Sequence, residues 1–225
     1  MKVLQVPRRF TTRAWGGTET VVLETSRRLL ASGHDTRIVC PNALDRTAFE
    51  DVGGVPVTRH PYFYPYLGLS SDARGEMGRK GGNLFSFSLF RDLMQDPNVG
   101  LLHAHTGKRL GGIVRTAARL RGVPYVVSLH GGAYDVPGAE AATWTEPSRG
   151  ALEWGRALGL LVGSRRVLQD AAAVVCLGEQ EKRLVERAHP GVRAVVLPNG
   201  VDPRRFATGD PLSLRYRLGG GPDDE

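Results

Sequence analysis

The feature that most constrains the fold is an alternation of short apolar segments with longer amphipathic ones. Several of the short segments are apolar throughout, which is typical of parallel strands covered by helices on both faces. The alternation therefore predicts an α/β domain with a doubly wound, mostly parallel, Rossmann-like sheet. The predicted strands are Lys2–Val6, Thr36–Cys40, Val55–Thr58, Val99–Leu102, Tyr125–Leu129, Ala173–Leu177 and Ala194–Leu197.

Helices are predicted between these strands. In the first of them, Val22 and Leu29 lie seven residues apart with charged residues on other faces, and Gly33 marks its C-terminal end. The predicted helices are Thr18–Ala31, Leu84–Gln95, Leu110–Leu120, Leu152–Gln169 and Glu179–Ala188.

Two segments break the alternation and are predicted as long loops, Pro61–Asn83 and Gly131–Gly150. Long loops inside a compact α/β domain usually carry function or move. Only the second begins directly at the C-terminal end of a predicted strand, where open α/β sheets bind ligands. The second loop is therefore the one that we expect to contact substrate.

Composition excludes several classes of protein. The chain has 225 residues, of which 41% are hydrophobic and 24% charged, as in ordinary globular proteins. No basic and apolar leader opens the sequence, and no run of 18 apolar residues occurs, so we expect a cytoplasmic protein rather than a secreted or transmembrane one. Cys40 and Cys176 each end an apolar run, which predicts buried free thiols in a reducing compartment.

The net charge of +7 points to anionic partners. Because no run of basic residues is longer than two, a nucleic-acid partner is not expected. A dispersed basic field suits anionic sugar nucleotides or a membrane surface equally well. Peripheral contact with the inner face of the membrane is therefore kept as a hypothesis.

A pair of glycines precedes the first predicted helix, in the run Trp15-Gly16-Gly17-Thr18-Glu19. Adjacent glycines let backbone N–H groups approach a ligand, and a helix N-terminus favours phosphate. The spacings of dinucleotide-binding and P-loop motifs are both absent. The alternative is a plain turn in which Thr18 caps the helix.

Histidines stand at the ends of two predicted strands. His103 and His105 should point to the same side of their strand, and His130 follows the next strand. The first pair could ligate a metal, but no acidic residue lies near it in sequence, so no metal is predicted. The glycines after His130 leave room for a ligand there, whereas the alternative is an imidazole bonded within its loop.

Together these motifs resemble a known family. The GGTE loop, the LLHAH and SLHGG strand ends, and above all the run from Leu197 to Phe206, LPNGVDPRRF, are similar to the N-terminal domain of retaining glycosyltransferases of the GT-B fold, the glycogen-synthase-like family four. The resemblance covers nearly the whole chain, but only the first of that family's two domains.

The resemblance implies an activity and a division of the chain. Residues 1–202 would form the acceptor-side domain, and residues 203–225 a hinge or linker toward a C-terminal domain that binds the donor. The full protein would move a sugar from a nucleotide-sugar donor, such as a UDP- or GDP-sugar, to a glycan or lipid-linked acceptor. It would need no cofactor, and this chain alone would be inactive.

The resemblance also implies site residues. Gly16 and Gly17 match the loop that faces the donor diphosphate or the acceptor, and His130 matches a catalytic histidine near the transferred sugar. Asp135 resembles an acid found after that histidine. The resemblance also assigns Asn199 and Gly200 to the interdomain hinge.

Two further residues are expected to bind substrate. His105 lies at the predicted ligand-binding edge of the sheet, and Trp144 could stack on a sugar ring from the Gly131–Gly150 loop. Two other functions remain open. The chain could be a stand-alone module that binds a glycan or head group, or a hydrolase with a metal held by histidines.

Overall fold

The computed structural model describes residues 1–131 and 146–201. A sheet of eight strands runs through the domain in the order β10-β9-β7-β6-β1-β2-β4-β3. Its pairs are parallel except for β3 with β4. The strands are β1 (Lys2–Val6), β2 (Asp35–Pro41), β3 (Phe49–Val52), β4 (Val55–His60), β6 (Val99–Ala104), β7 (Tyr125–Ser128), β9 (Ala173–Cys176) and β10 (Ala194–Val196), and β5 (Tyr66–Leu67) pairs separately with β8 (Leu152–Glu153).

Helices connect the strands and cover both faces of the sheet. They are α1 (Gly17–Ala31), α2 (Ser71–Lys80), α3 (Phe87–Gln95), α4 (Lys108–Arg121), α5 (Arg156–Leu161) and α6 (Glu179–Ala188). The chain fills one side of β1 with β2 to β4, then returns to fill the other side from β6 onward. The topological switch point of the sheet therefore lies between β1 and β6, where such sheets bind ligands. The predicted fold class is confirmed.

The two larger apolar cores of the described residues lie on opposite faces of the sheet, and a smaller cluster packs around Val174 and Val185. Val39 in β2 belongs to the core beneath α3 and α4, whereas its neighbours Ile38 and Cys40 belong to the core beneath α1. Successive side chains of a strand point to opposite faces, so β2 contributes to both cores. Cys40 and Cys176 are buried and free, as predicted.

The sequence prediction missed the edge strand β3. Gly53 and Gly54 join it to β4, and both glycines have positive φ, of 59° and 85°. A two-residue turn with positive φ at both positions makes a tight antiparallel hairpin. In the strand FEDV two acidic residues lie between Phe49 and Val52, so this short edge strand carries no continuous apolar run.

Two predicted segments are corrected by the structure. Pro61–Asn83 is not a continuous loop, because it contains β5 and the helix α2, which Ser70 caps through a bond to the Ala73 amide. The predicted helix Leu152–Gln169 is broken into β8, α5 and a 3-10 turn. Gly163 breaks it with a left-handed φ of 60°.

The predicted helix Leu84–Gln95 starts later than expected, at Phe87. Ser86 accepts a hydrogen bond from the Leu89 amide and so sets the N-terminus.

Within the described ranges, no helix combines the length and apolar character that a membrane crossing requires.

Candidate functional site

Three histidines meet at the carboxyl edge of the sheet, beside the switch point. Leu102 and Ala104 of β6 point into the core beneath α3 and α4, so His103 between them points to the opposite face. The ring centroids of His103 and His105 lie 4.1 Å apart, so the two side chains share one side of the strand as predicted. His130, which follows β7, lies 5.1 Å from His105 between ring centroids.

A chain of hydrogen bonds links Gln5 to His130 through His105. His105 Nε2 lies 2.6 Å from Gln5 Oε1, and His105 Nδ1 lies 2.9 Å from His130 Nε2. The Gln5 oxygen can only accept, so His105 Nε2 carries the proton and His105 Nδ1 accepts from His130 Nε2–H. This arrangement leaves His130 Nδ1 as an acceptor for a ligand hydroxyl.

Burial keeps the three imidazoles neutral at pH 7. It lowers the pKa of His103 to about 4, with a smaller contribution from the nearby His130. Burial, and then His103 and His130, hold the pKa of His105 well below its ordinary value. Burial also lowers the pKa of His130. The cluster therefore offers neutral hydrogen-bonding groups rather than positive charges.

Two cavities flank the histidines and share His105, Ser128, Leu129 and His130 as a common wall. The first, of about 660 Å³, is lined by several arginines and a lysine, and we call it the basic cavity. The second, of about 650 Å³, lies between α1 and the segment Leu197–Val201, and we call it the α1 cavity. A group bound in either cavity can therefore reach His130.

The glycine loop leads directly into α1, whose first turn lines the basic cavity. Gly16 occupies the N-cap position of α1, so the prediction of Thr18 as the cap is wrong. Thr18 and Glu19 of the first turn line the cavity. Gly17 is exposed, and a side chain added there would meet nothing within 4 Å, so its backbone is open to a ligand.

The geometry does not favour a metal held by these histidines. Both ring nitrogens of His105 are engaged, and His103 Nε2 lies 2.7 Å from Ser128 Oγ. Among residues 1–131 and 146–201, no three His, Cys, Asp or Glu side chains are arranged to hold a metal ion.

Of the other predicted site residues, the hinge pair lies beside the histidines. Asn199 and Gly200 are exposed after β10 and line the α1 cavity. Asp135 and Trp144 lie outside the described residues. The structure therefore brings His105, His130 and the predicted hinge to one edge of the sheet.

Sequence reasoning missed Gln5, Arg8 and Lys108. Gln5 is fully buried and is the one uncharged polar residue of the strand KVLQV, a signal that could have identified it. Arg8 and Lys108 follow β1 and β6 after short loops, and only the strand order brings them to one cavity.

Comparisons with known proteins agree with this architecture. The chain is similar to the structure of Anabaena Alr3699/HepE in complex with UDP-glucose, with 15% identity, a TM-score of 0.54, and coverage of 97% of this chain and 50% of that one. It is also similar to the catalytic domain of Starch Synthase IV from Arabidopsis thaliana bound to ADP and acarbose, with 12% identity, a TM-score of 0.54, and coverage of 99% and 60%. This chain thus spans less than two thirds of either structure, and these identities support a shared fold alone.

The family assignment comes from the sequence itself. A search of curated protein sequences finds no match. Residues 16–200 match the family described as the glycosyl transferase 4-like domain. The resemblance to glycosyltransferases of the GT-B fold is therefore confirmed. This chain belongs to the glycosyl transferase 4-like domain family.

Proposed function

We propose that this chain is the acceptor-binding, N-terminal domain of a retaining glycosyltransferase. The full enzyme moves a sugar from a nucleotide sugar to a glycan or a lipid-linked acceptor. The observation that carries the proposal is the shared wall of the two cavities, where the His105–His130 pair lies at the switch point of the sheet. Two cavities that meet at this histidine pair suit a reaction that joins two substrates.

The donor side of the site is proposed to belong to a second domain. Residues 1–202 form the acceptor-side domain, and residues 203–225 lead toward a donor-binding one. Structures similar to this chain contain UDP-glucose in one case and ADP in the other. These nucleotides support a UDP-, GDP- or related nucleotide sugar as the donor, used as a co-substrate without a cofactor.

Each site residue has a proposed role. His130 accepts a hydrogen bond from a hydroxyl of the transferred sugar through its Nδ1 atom, and His105 holds its ring. The backbone of Gly16 and Gly17 faces the donor diphosphate or the acceptor, since Gly17 is open to solvent.

The remaining predicted residues have roles in closure and acceptor binding. Asn199 and Gly200 form the hinge on which the two domains close. Asp135 and Trp144 contact the acceptor.

The proposed transfer uses no protein base, because the departing diphosphate can take the proton of the acceptor. The bond between the anomeric carbon and the diphosphate breaks, and the diphosphate leaves with the electron pair. The acceptor oxygen bonds the same carbon on the same face, and its proton passes to the departing phosphate oxygen. The chain's own groups hold the reactants at hydrogen-bond distance while this occurs.

The test is steady-state kinetics of the enzyme that contains this chain, with His130→Ala and a control, His34→Ala. His34 lies between α1 and β2, at the opposite edge of the sheet. Loss of one positioned hydrogen bond should lower kcat about 100-fold in the first variant and leave the second unchanged. Product analysis by proton NMR should show the donor's anomeric configuration. Equal rates for both variants, or inversion, would contradict the proposal.

The net charge of +7 supports peripheral contact with the cytoplasmic face of the membrane. The protein should co-sediment with anionic vesicles at low salt and be released at high salt. Failure to sediment with anionic vesicles at low salt would remove this part of the proposal.

A further inference from the structure

The basic cavity carries far more positive than negative charge. Among the described residues that line it, the one carboxylate is that of Glu19, which is buried and lies 3.0 Å from Arg9 Nε. Five cationic side chains line the cavity: Arg8, Arg9, Arg79, Lys108 and Arg165.

Four of these cations have no acidic partner in the described part of the chain. Arg9 is neutralised by Glu19, but Arg8, Arg79, Lys108 and Arg165 form no ion pair with a carboxylate of residues 1–131 or 146–201. The same ranges contain many paired arginines elsewhere, such as Arg37 with Asp92 and Arg115 with Asp170. Exposed arginines elsewhere, such as Arg13, Arg46 and Arg183, also lack an ion pair within these ranges. What distinguishes the basic cavity is that four such cations line one concave space.

Arg8 is held in place by backbone carbonyls. Its guanidinium donates to the carbonyl oxygen of Gly78 over 2.8 Å and to those of Met77 and Arg79 over 3.4 Å, in the last turn of α2. These groups fix the orientation of the guanidinium but supply only partial negative charge. The Arg8 guanidinium is therefore held in position but keeps its positive charge.

Arg8 and Lys108 reach the cavity from the two sides of the switch point. Arg8 follows β1 by two residues, and Lys108 begins α4 after β6. Burial, and then the charge of Arg8, lower the pKa of Lys108. Their mutual repulsion is relieved when an anion binds between them.

We infer that the basic cavity binds a phosphate group carried by the acceptor. The inference rests on the proposed function and narrows its acceptor to a phosphorylated sugar or a phospholipid head group, which share this chemistry. An uncharged glycan would leave these four cations without an anionic partner.

The position of the hinge assigns the basic cavity to the acceptor rather than to the donor. The segment Leu197–Val201, through which the chain leaves the sheet, lines the α1 cavity. A donor-binding domain that follows this segment therefore adjoins the α1 cavity. The basic cavity lies on the other side of the His105–His130 wall.

The test is binding of probes to the 225-residue chain, measured by isothermal titration calorimetry and vesicle sedimentation. The soluble probes are glucose 6-phosphate, glucose and UDP-glucose, and the lipid probe is a 4:1 phosphatidylcholine and phosphatidylglycerol vesicle. The variants are Lys108→Gln combined with Arg165→Gln, and Lys182→Gln as a control. Lys182 lies on α6 beside Glu186 and does not line the cavity.

A phosphorylated sugar acceptor predicts that glucose 6-phosphate binds at least about tenfold more tightly than glucose, a difference of about 1.4 kcal/mol. The reason is that its phosphate accepts charge-assisted hydrogen bonds. A lipid acceptor instead predicts binding to the vesicles alone. In either case the double variant should lose most of that binding, and Lys182→Gln should keep it.

Three results would overturn the inference. They are equal affinity for glucose and glucose 6-phosphate without vesicle binding, equal losses in the double variant and the control, and a loss confined to UDP-glucose. The last result would assign the cations to the donor diphosphate. None of these readouts requires turnover, so the inference can fail while the proposed transferase activity stands, and the kinetic test of His130 can fail independently.

Discussion

The Nδ1 atom of His105 lies 2.9 Å from the Nε2 atom of His130, so two histidines from adjacent strands share one hydrogen bond at the switch point of the sheet. Because both rings are neutral, only one of these two nitrogens carries a proton. Gln5 in the neighbouring strand β1 decides which one, because its side-chain oxygen accepts the proton of His105 Nε2.

The Gln5 bond predicts the tautomers of both rings. Nitrogen-15 NMR of the chain at pH 7 should show His105 and His130 protonated at Nε2, with Nδ1 unprotonated. Gln5→Leu removes the acceptor and should allow both tautomers of His105, whereas Gln5→Glu keeps an acceptor and should preserve the wild-type pattern. Protonation of His105 at Nδ1 in the wild-type chain would contradict this hydrogen-bond assignment.

The buried histidines predict a loss of stability in mild acid. Because the pKa of His103 falls from 6.5 to about 4 on folding, the unfolded chain binds more protons between these values. The free energy of unfolding should therefore be highest above pH 6.5 and decrease as the pH falls toward 4. Urea denaturation at several pH values measures this slope, and His103→Gln should reduce it. A flat profile between pH 7 and pH 5 would contradict the burial of the cluster.

Close packing of α4 predicts opposite effects of alanine at two helical glycines. A Cβ on Gly112 would lie 2.5 Å from Val162 Cγ2 and 3.0 Å from the Val162 carbonyl oxygen. Gly112→Ala should lower the free energy of unfolding by about 1–3 kcal/mol through overpacking. Gly75, in α2, has only the end of the Arg79 side chain nearby, at 3.9 Å. Gly75→Ala should raise the free energy of unfolding by up to about 1 kcal/mol. Thermal unfolding of the two variants measures both changes.

A buried acid predicts a large effect of a neutral substitution. The Asp96 side chain is 3% exposed and pairs with Lys2 and Arg37 at 2.6 and 2.7 Å. Asp96→Asn removes the buried charge that both cations share, leaving Arg37 with Asp92 alone and Lys2 with the exposed Asp35, and should destabilise the chain by about 3 kcal/mol. Asp35 Oδ2 also lies 3.8 Å from Lys2 Nζ, but the Asp35 side chain is 66% exposed. Asp35→Asn should change stability by less than about 1 kcal/mol, and similar losses in the two variants would contradict this ranking.

Hydrophobic patterning predicted the parallel sheet because its strands are buried on both faces. The same signal failed where helices are polar. In α2, with the sequence SDARGEMGRK, Met77 is the one buried apolar side chain, so neither length nor periodicity distinguishes the helix from a loop. The first part of the helix predicted over Leu152–Gln169 is instead the strand β8. The Trp154 and Gly155 amides that follow it donate to the Pro65 carbonyl oxygen, a contact remote in sequence.

The candidate site was predicted only in part for the same reason. His105 and His130 stand at strand ends and are visible in the sequence, as is the spacing that places His103 beside His105. Gln5 and the cations of the basic cavity meet only because β1 lies next to β6. In the sequence, β6 begins at Val99, 93 residues after β1 ends at Val6. Strand order is a property of the whole sheet and leaves no local pattern.

The central claim is that this chain is the acceptor-binding part of a sugar transferase. The most direct measurement compares the native protein from its source cells with the 225-residue chain, for native mass and for transfer from a panel of UDP- and GDP-sugars. The account predicts a native mass well above that of the chain, turnover by the native protein, and none by the chain alone. Turnover by the chain alone, or a native protein of this mass that binds a glycan without transferring sugar, would contradict it.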